Sequence, residues 1–562
     1  MFVSTPTLAL RIDLIRIGTG ASPRDGWTHG SATSARAELR AVTTALADVL
    51  NPVKDSEPAT GDAVLVLDEQ FPLPSEELLH RLLDGPAHVW HGGLALGLGD
   101  QPGVWDHVEP TSMFSAPLDP TIEATSWRVS MRALLVRTSV LEQLGGPAGG
   151  FDTLTGASLE MGLRWIRAGA LVRHVPELVP AGAAPDRPPS TADGLRMVGM
   201  HSGRTWAGWT VLRSLRCYEV TAAQAVPLAR QALRASAAPL PHYEAPGGPD
   251  RTGRTDRTVS VILPTVDRYS YLEPLLQQLA EQSVAPHEVL IVDQTPLDHR
   301  RHDLADIDPA LPVTVIEIPT PGQCTARNAA LERATGELFL FIDDDDDIPS
   351  TLIEDHLRLL IDGIDAVSGA VDDATAGPPP VGFRHRRAGD VFPTNNTMLR
   401  RSAMERSAMF DPAYDHGPRA DHDVGMRLHL SGAVLLYDPS VEVFHHHAPA
   451  GGLRTHGARK VTRASSRRSL TQRNLPASTQ LYLGRRYLTD HQRSESQQIT
   501  LMSMFRGEGR THRRVGRAMI QLALLPSTVR KLRSADRIAQ SKIATRSPIP
   551  TLTPMQTEVG SR

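Results

Sequence analysis

Five aspartates in succession, Asp343–Asp347, close the apolar run of GELFLFIDDDDDIPS. Neighbouring carboxylates repel one another, and more strongly where water is excluded. Such a run at the end of a buried strand is tolerable when a divalent cation neutralises it. Hard divalent cations such as Mg²⁺ or Mn²⁺ take oxygen ligands, often one or two carboxylates together with substrate phosphates. Asp343 and Asp345 form a D-x-D pair for that purpose. Asp346 and Asp347 read as surplus charge at the entry of a helix introduced by Pro349, where the helix dipole favours acids.

The elements that position the run are visible around it. From residue 258 onward, TVSVILP, EVLIVDQ, VTVIEIP and LFLFID are strand-like, and YLEPLLQQLAEQ and CTARNAALERAT have helical spacing between them. This alternation predicts an α/β domain with a largely parallel sheet. Ligands of such sheets bind beyond the carboxyl ends of the strands. Asp267, Asp293 and the aspartate run all fall just past strand ends, so one crevice can receive all three.

A Pro/Gly/Arg-rich stretch, 236–257, reads as a linker that separates this domain from residues 1–235. Across it the sequence repeats. ALLVRTSVLEQLGG (133–146) resembles TMLRRSAMERSAMF (397–410), and MGLRWIRAGALVRHVPE (161–177) resembles VGMRLHLSGAVLLYDPS (424–440). VLVLDEQFPLPS (64–75) likewise resembles FLFIDDDDDIPS (339–350). The expectation is two copies of one domain type. The alternative is an unrelated α/β domain with a chance VLVLDEQ core strand.

The chain has 562 residues, a formal net charge of −4 and 40% hydrophobic residues. Residues 451–562 carry 22 Lys+Arg against 5 Asp+Glu, which predicts a basic, mainly helical module of its own. Cys217 and Cys324 are too few for a disulfide framework and fit a reducing cytoplasm. The opening residues lack a signal-peptide pattern, and no apolar run approaches the length of a membrane span. The expected location is cytoplasmic, with peripheral contact at the inner membrane face through the tail.

Three metal-carboxylate motifs compete for the run. A phosphatase D-x-D-x-[TV] fails at Asp347, and the DDxxD of prenyl synthases belongs on a helix of an all-α chain. A strand-terminal D-x-D that holds the metal of a nucleotide-sugar diphosphate fits. Taken with VSVILPTVDR, EVLIVDQT, GQCTARNAALERATGELFLFIDDDD, NNTMLRR, ADHDVGMRL and VFHHHAP in this order, residues 258–450 resemble a family 2 glycosyltransferase domain. The resemblance implies a GT-A, Rossmann-like fold of the nucleotide-diphospho-sugar transferases. It implies donor contacts from Thr265, Asp267, Asp293, Arg327, Asn328, Asp343 and Asp344, and a metal held by Asp343, Asp345 and His445. Asn396 then borders the acceptor, and Asp421 or Asp423 in ADHDVGMR supplies the base.

The reaction implied is inverting transfer from a nucleotide sugar, with a UDP-sugar expected, to a glycan or lipid-linked acceptor in cell-envelope synthesis. No Q-x-x-R-W motif of processive synthases is present, nor the G-x-G-x-R-x-x-P loop of nucleotidyltransferases. In residues 1–235, Gln70 stands at the position of Asp345, Ser158 at that of Asp421 and Glu160 at that of Asp423. That copy is expected to be a degenerate, non-catalytic GT-A-like domain. A non-catalytic scaffold of two such domains is the alternative for the whole chain. Nucleic-acid binding is not expected, because no aromatic residues interleave the basic clusters of the tail.

Overall fold

The computed structural model describes residues 12–17, 62–93, 112–184, 188–216, 220–234, 240–246, 253–373, 379–448, 469–505 and 510–554, with 451–452 and a few single positions besides. Much of the expected linker, Cys217 and the tail segment RKVTRASSRR lie outside the described residues. The chain divides into two compact units, Met1–Asp250 and Arg251–Arg562.

In the first unit the strands are β1 (Ile12–Ile17), β2 (Ala63–Asp68), β3 (Val89–His91), β4 (Ala124–Thr125), β5 (Ala133–Arg137) and β6 (Val172–His174). Its longer helices are α1 (Glu76–Asp84), α2 (Thr138–Leu144), α3 (Leu154–Ala168), α4 (Thr191–Arg216) and α5 (Ala222–Arg234). The sheet runs β1-β2-β5-β3-β6-β4. β2 is buried along its whole length, an apolar run that ends in the buried Asp68.

In the second unit the sheet runs β9-β8-β7-β10-β14-β12-β15-β11, with β13 (Arg387–Ala388) paired to β15. Its members are β7 (Val259–Thr265), β8 (Glu288–Asp293), β9 (Val313–Glu317), β10 (Leu338–Phe341), β11 (Asp346–Asp347), β12 (Ala366–Asp372), β14 (Thr397–Arg400) and β15 (Leu435–His445). Helix α6 (Tyr269–Ala280) buries Leu272, Leu275, Leu276 and Leu279, one helical stripe. The other helices of this part are α7 (Gln323–Leu331), α8 (Leu352–Leu359), α9 (Arg401–Ser407) and α10 (Ala420–Leu430).

The two sheets follow one path. β1 is parallel to β2, β5 is reversed between β2 and β3, and β6 is parallel to β3. β7, β10, β14, β12 and β15 repeat these relations. Side chains repeat with them. Arg164 on α3 pairs with Glu160 and caps the carbonyls of Leu144, Gly145 and Gly146. At a spacing of 263 residues, Arg427 on α10 pairs with Asp423 at 3.0 Å and caps those of Ser407, Ala408 and Met409. The clasped turn has positive φ in both, 71° at Gly145 and 66° at Ala408. Alanine rarely adopts that conformation, and the three guanidinium bonds hold it there.

Two expectations change. The aspartate run does not lead straight into a helix: Asp346 and Asp347 form β11, antiparallel to the end of β15, and α8 begins only at Leu352. The tail is no module apart. Its helices α11 (Ser478–Tyr487), α12 (Asp490–Met504), α13 (Thr511–Ala523) and α14 (Leu525–Ala544) belong to the second unit. Tyr482 donates to Asp411 at 3.0 Å, Tyr487 to Asp423 at 2.9 Å, and Lys542 to the Ala413 carbonyl at 2.7 Å. Among the described residues, no helix is long and apolar enough to cross a membrane.

Arg427→Ala removes the donor to three carbonyls and one partner of a buried carboxylate. It is expected to destabilise the second unit by about 3–5 kcal/mol. Urea unfolding followed by circular dichroism measures this, and an unchanged midpoint rejects the clasp as a stabilising element.

Candidate active site

The carboxyl ends of β7 and β10 lie side by side, since Ile262 pairs with Phe341 in parallel register. From β7, Thr265 Oγ1 donates to Asp344 Oδ2 at 2.8 Å. Arg268, at the entry of α6, reaches Asp344 Oδ1 at 2.8 Å and Asp345 Oδ1 at 2.9 Å through a single Nη1. The other oxygen of Asp345 accepts from the Ala448 N–H at 2.7 Å, just beyond β15. Arg327 on α7 donates to Asp343 Oδ1 at 2.8 Å. His445 at the end of β15 donates to Asp346 at 2.7 Å and lies 3.7 Å from Asp345.

Asp344, Asp345 and Asp346 are therefore a buried anionic knot, flanked by the more exposed Asp343 and Asp347 and tied by cations from three elements. Burial pushes the Asp344 carboxyl up to about 6 even though Arg268 and Thr265 oppose the shift. Burial likewise drives Asp346 up to about 7, against the pull of His445. Burial also raises Asp343, with Arg327 and His445 opposing. Burial disfavours the charged form of His445, but Asp346 and the neighbouring aspartates outweigh it and raise the imidazole above its ordinary value.

Helix α7 links this knot to α10. Asp415 accepts from the N–H groups of Cys324 and Thr325 and from the Thr325 hydroxyl, capping the first turn of α7. Gln323 donates to the carbonyls of Tyr414 and Gly417 on the segment that leads into α10. At the start of α10, the Asp421 side chain is 37% exposed and its Oδ1 lies 3.0 Å from His422 Nδ1. Partial burial works against its ionisation, yet His422 and Arg419 prevail and hold the carboxyl at about 2. Asp423 is enclosed instead, paired with Arg427, with Arg486 at 2.5 Å and with Tyr487. Two residues apart on a helix, the two acids face opposite tasks.

Thr265, Arg327, Asp343, Asp344, Asp345 and His445 thus come together as expected from the sequence. Asp293 is buried at the end of β8, accepting from the Tyr269 hydroxyl at 2.7 Å and the Thr295 N–H at 2.9 Å. Asp267, at φ 51°, leaves its side chain half-exposed in the β7–α6 loop. Asn328 and Asn396 differ from expectation. The Asn328 amide is engaged in both directions by the Phe410 backbone, and Asn396 is buried between His356 and the carbonyls of Ala370 and Val441. Both amides are held by the framework, Asn396 through both of its N–H bonds and Asn328 through one N–H and its carbonyl oxygen. Among the described residues, no group of three or more His, Cys, Asp or Glu side chains is arranged around a metal position. The oxygen donors of Asp343 and Asp345 nonetheless suit a hard cation chemically.

Residues 260–416 match Glycosyl transferase family 2. The chain carries a family 2 glycosyltransferase segment. It is 34% identical over 107 residues to TuaG of Bacillus subtilis, whose name assigns it to teichuronic acid biosynthesis as a glycosyltransferase. That alignment covers 18% of this chain and 42% of TuaG. An uncharacterized glycosyltransferase of Haemophilus influenzae is 33% identical over 89 residues, covering 16% of this chain and 29% of its own. The chain thus spans less than half the length of these curated relatives. Among solved structures, Staphylococcus aureus TarS 1–349 with UDP is similar at 17% identity and TM-score 0.30, covering 50% of this chain and 91% of that one. The mannosyltransferase PcManGT of Pyrobaculum calidifontis, solved with GDP-Man and Mn²⁺, is similar at 18% identity and TM-score 0.32, covering 64% and 87%.

In the glycosyltransferase segment, several partners were not read from sequence. Arg268 directly follows Asp267 in a strand–helix loop, and a lone basic residue at that place could have been matched to five acids elsewhere. Asp415 and Arg486 carried no local signal, since their partners lie 90 or 91 and 63 residues away.

Arg268→Ala is expected to destabilise the second unit more as pH rises from 5 to 8. Without the guanidinium, Asp344 titrates above its present value of about 6, so the ion pair matters only where the wild-type carboxylate is ionised. Below that range both proteins carry a protonated Asp344, and the difference shrinks. Thermal melts across this pH range test it, and a pH-independent difference overturns the pairing.

Proposed function

We propose that residues 258–450 transfer a sugar from a nucleotide-sugar donor to an acceptor hydroxyl with inversion at the anomeric carbon. The observation that carries this reading is the link from the strand-end carboxylates through Arg327 and α7 to the half-exposed Asp421. Thr265, Asp267 and Asp293 line the nucleoside side, and Arg268 and Arg327 offer positive charge to the diphosphate. Asp343 and Asp345 would hold Mg²⁺ or Mn²⁺, which would supply Lewis-acid stabilisation of charge on the leaving diphosphate. A UDP-sugar is the donor to test first. The name of the relative TuaG favours a glycan or lipid-linked acceptor of the cell envelope.

The acceptor oxygen attacks the anomeric carbon in line with the leaving group. The bond from that carbon to the diphosphate oxygen breaks, the nucleoside diphosphate leaves with the electron pair, and the acceptor proton passes to Asp421. A carboxylate held at about 2 is ionised at neutral pH but weakly basic. It therefore receives the proton as the new bond forms, not beforehand.

Residues 1–235 fit a silent copy. Arg132 pairs with Asp68 at 2.9 Å and lies 3.4 Å from Asp186, so an internal guanidinium neutralises the strand-end acid. Ser158, at the position of Asp421, donates back to the Leu154 carbonyl of its own helix.

Asp421→Asn is expected to lower kcat by about 10²–10⁴-fold with little change in donor KM. Asp345→Ala is expected to remove the response to Mn²⁺. His422→Asn takes away the neighbour that lowers the Asp421 carboxyl, so the acid limb of the kcat/KM profile moves to higher pH. Sugar transfer and donor hydrolysis over a donor panel measure all three. Full activity of Asp421→Asn sinks the base assignment. Donor binding without transfer or hydrolysis in the wild type favours the scaffold instead.

A further inference from the structure

Helix α13 is amphipathic with its faces exchanged. The side turned inward is polar: Arg517 and Gln521 are 2% and 0% exposed. Arg517 donates to the carbonyls of Met504, Ser469 and Gln472, and Gln521 to that of Leu470 at 2.8 Å. The side turned outward is apolar. Val515, Met519 and Leu522 follow the i, i+4, i+7 spacing of a single stripe and are 57%, 67% and 60% exposed. An exposed stripe of this kind marks an interaction surface more often than single scattered apolar residues do.

The surroundings of the stripe are basic. Arg510, Arg513 and Arg514 are exposed at the start of α13, and Arg530, Lys531, Arg533 and Arg537 are exposed on α14. A second copy of this chain would bring like charges together around the apolar contact. An anionic lipid surface would neutralise them while burying Val515, Met519 and Leu522 at the boundary between headgroups and acyl chains.

We propose that α13 is a membrane-surface helix, docking the second unit on anionic lipid through Val515, Met519 and Leu522 with the flanking arginines at headgroup level. The polar inward face anchors the helix to its own protein, so the apolar face is presented already folded. The inference does not depend on the sugar-transfer reading. Vesicle binding and transferase activity fail separately.

The test is co-sedimentation of the full chain with phosphatidylcholine vesicles, with and without phosphatidylglycerol. Wild type is expected to sediment with the anionic vesicles, weakly with the zwitterionic ones, and less as salt rises. The triple variant Val515→Gln, Met519→Gln, Leu522→Gln is expected to lower the partition coefficient at least about tenfold. Its circular dichroism and melting should match wild type, because the replaced side chains face solvent. Arg514→Glu is expected to weaken anionic binding alone. Wild-type failure to sediment with anionic vesicles overturns the proposal, as does a triple variant that sediments like wild type. A dimer seen by light scattering that the triple variant converts to monomer also overturns it, assigning the face to a second copy.

Discussion

Adjacent carboxylates such as Asp344, Asp345 and Asp346 can be enclosed only where cations face them, and the placement of those cations organises the second unit. Two unit charges about 4 Å apart interact by about 4 kcal/mol at an effective dielectric of about 20. Left alone, the run would protonate or turn outward. Instead Arg268 comes from the entry of α6, Arg327 from α7 and His445 from the end of β15. Each ties its own element to the end of β10. The same contacts that make the aspartates tolerable bring together charged and polar groups from distant parts of the chain. Burial raises the Asp344 and Asp346 carboxyls in spite of Arg268, Thr265 and His445.

A second network sets the other wall. Asp423 is shared by Arg427 of its own helix and by Arg486 and Tyr487 of α11. Glu160 plays the corresponding part in the first unit, paired with Arg164 and with His201 of α4 at 3.0 Å. In both, an acid and an arginine four residues apart lock the helix to the turn before it. Only the second unit adds an exposed acid two residues earlier, at Asp421. The difference between the units lies in what their strand ends and helix starts leave available, not in the path of their sheets.

The strands of the second unit were legible because VSVILPT, EVLIVD and LFLF are mostly apolar runs with an acid at or within two residues of their carboxyl ends. Their burial needs nothing from outside to be recognised. The likeness between the two units was legible because the arginine clasp has the same spacing in each. What escaped was non-local. The two-residue strand Asp346–Asp347 exists only through pairing with residues 444 and 445, so a helix entry looked natural at Pro349. Asn396 carries a polar side chain suited to a ligand, yet its amide satisfies carbonyls of β12 and β15. Basic composition alone set the tail apart, whereas three buried or half-buried side chains, Tyr482, Arg486 and Tyr487, bind it to the glycosyltransferase segment.

Calorimetric binding of UDP and of a UDP-sugar, with and without Mn²⁺, tests the central claim that the aspartate knot is the donor diphosphate site. Wild type should bind more tightly with Mn²⁺, and Asp345→Ala should lose that increment while keeping its fold. Equal Mn²⁺-dependent binding by Asp345→Ala would contradict the claim.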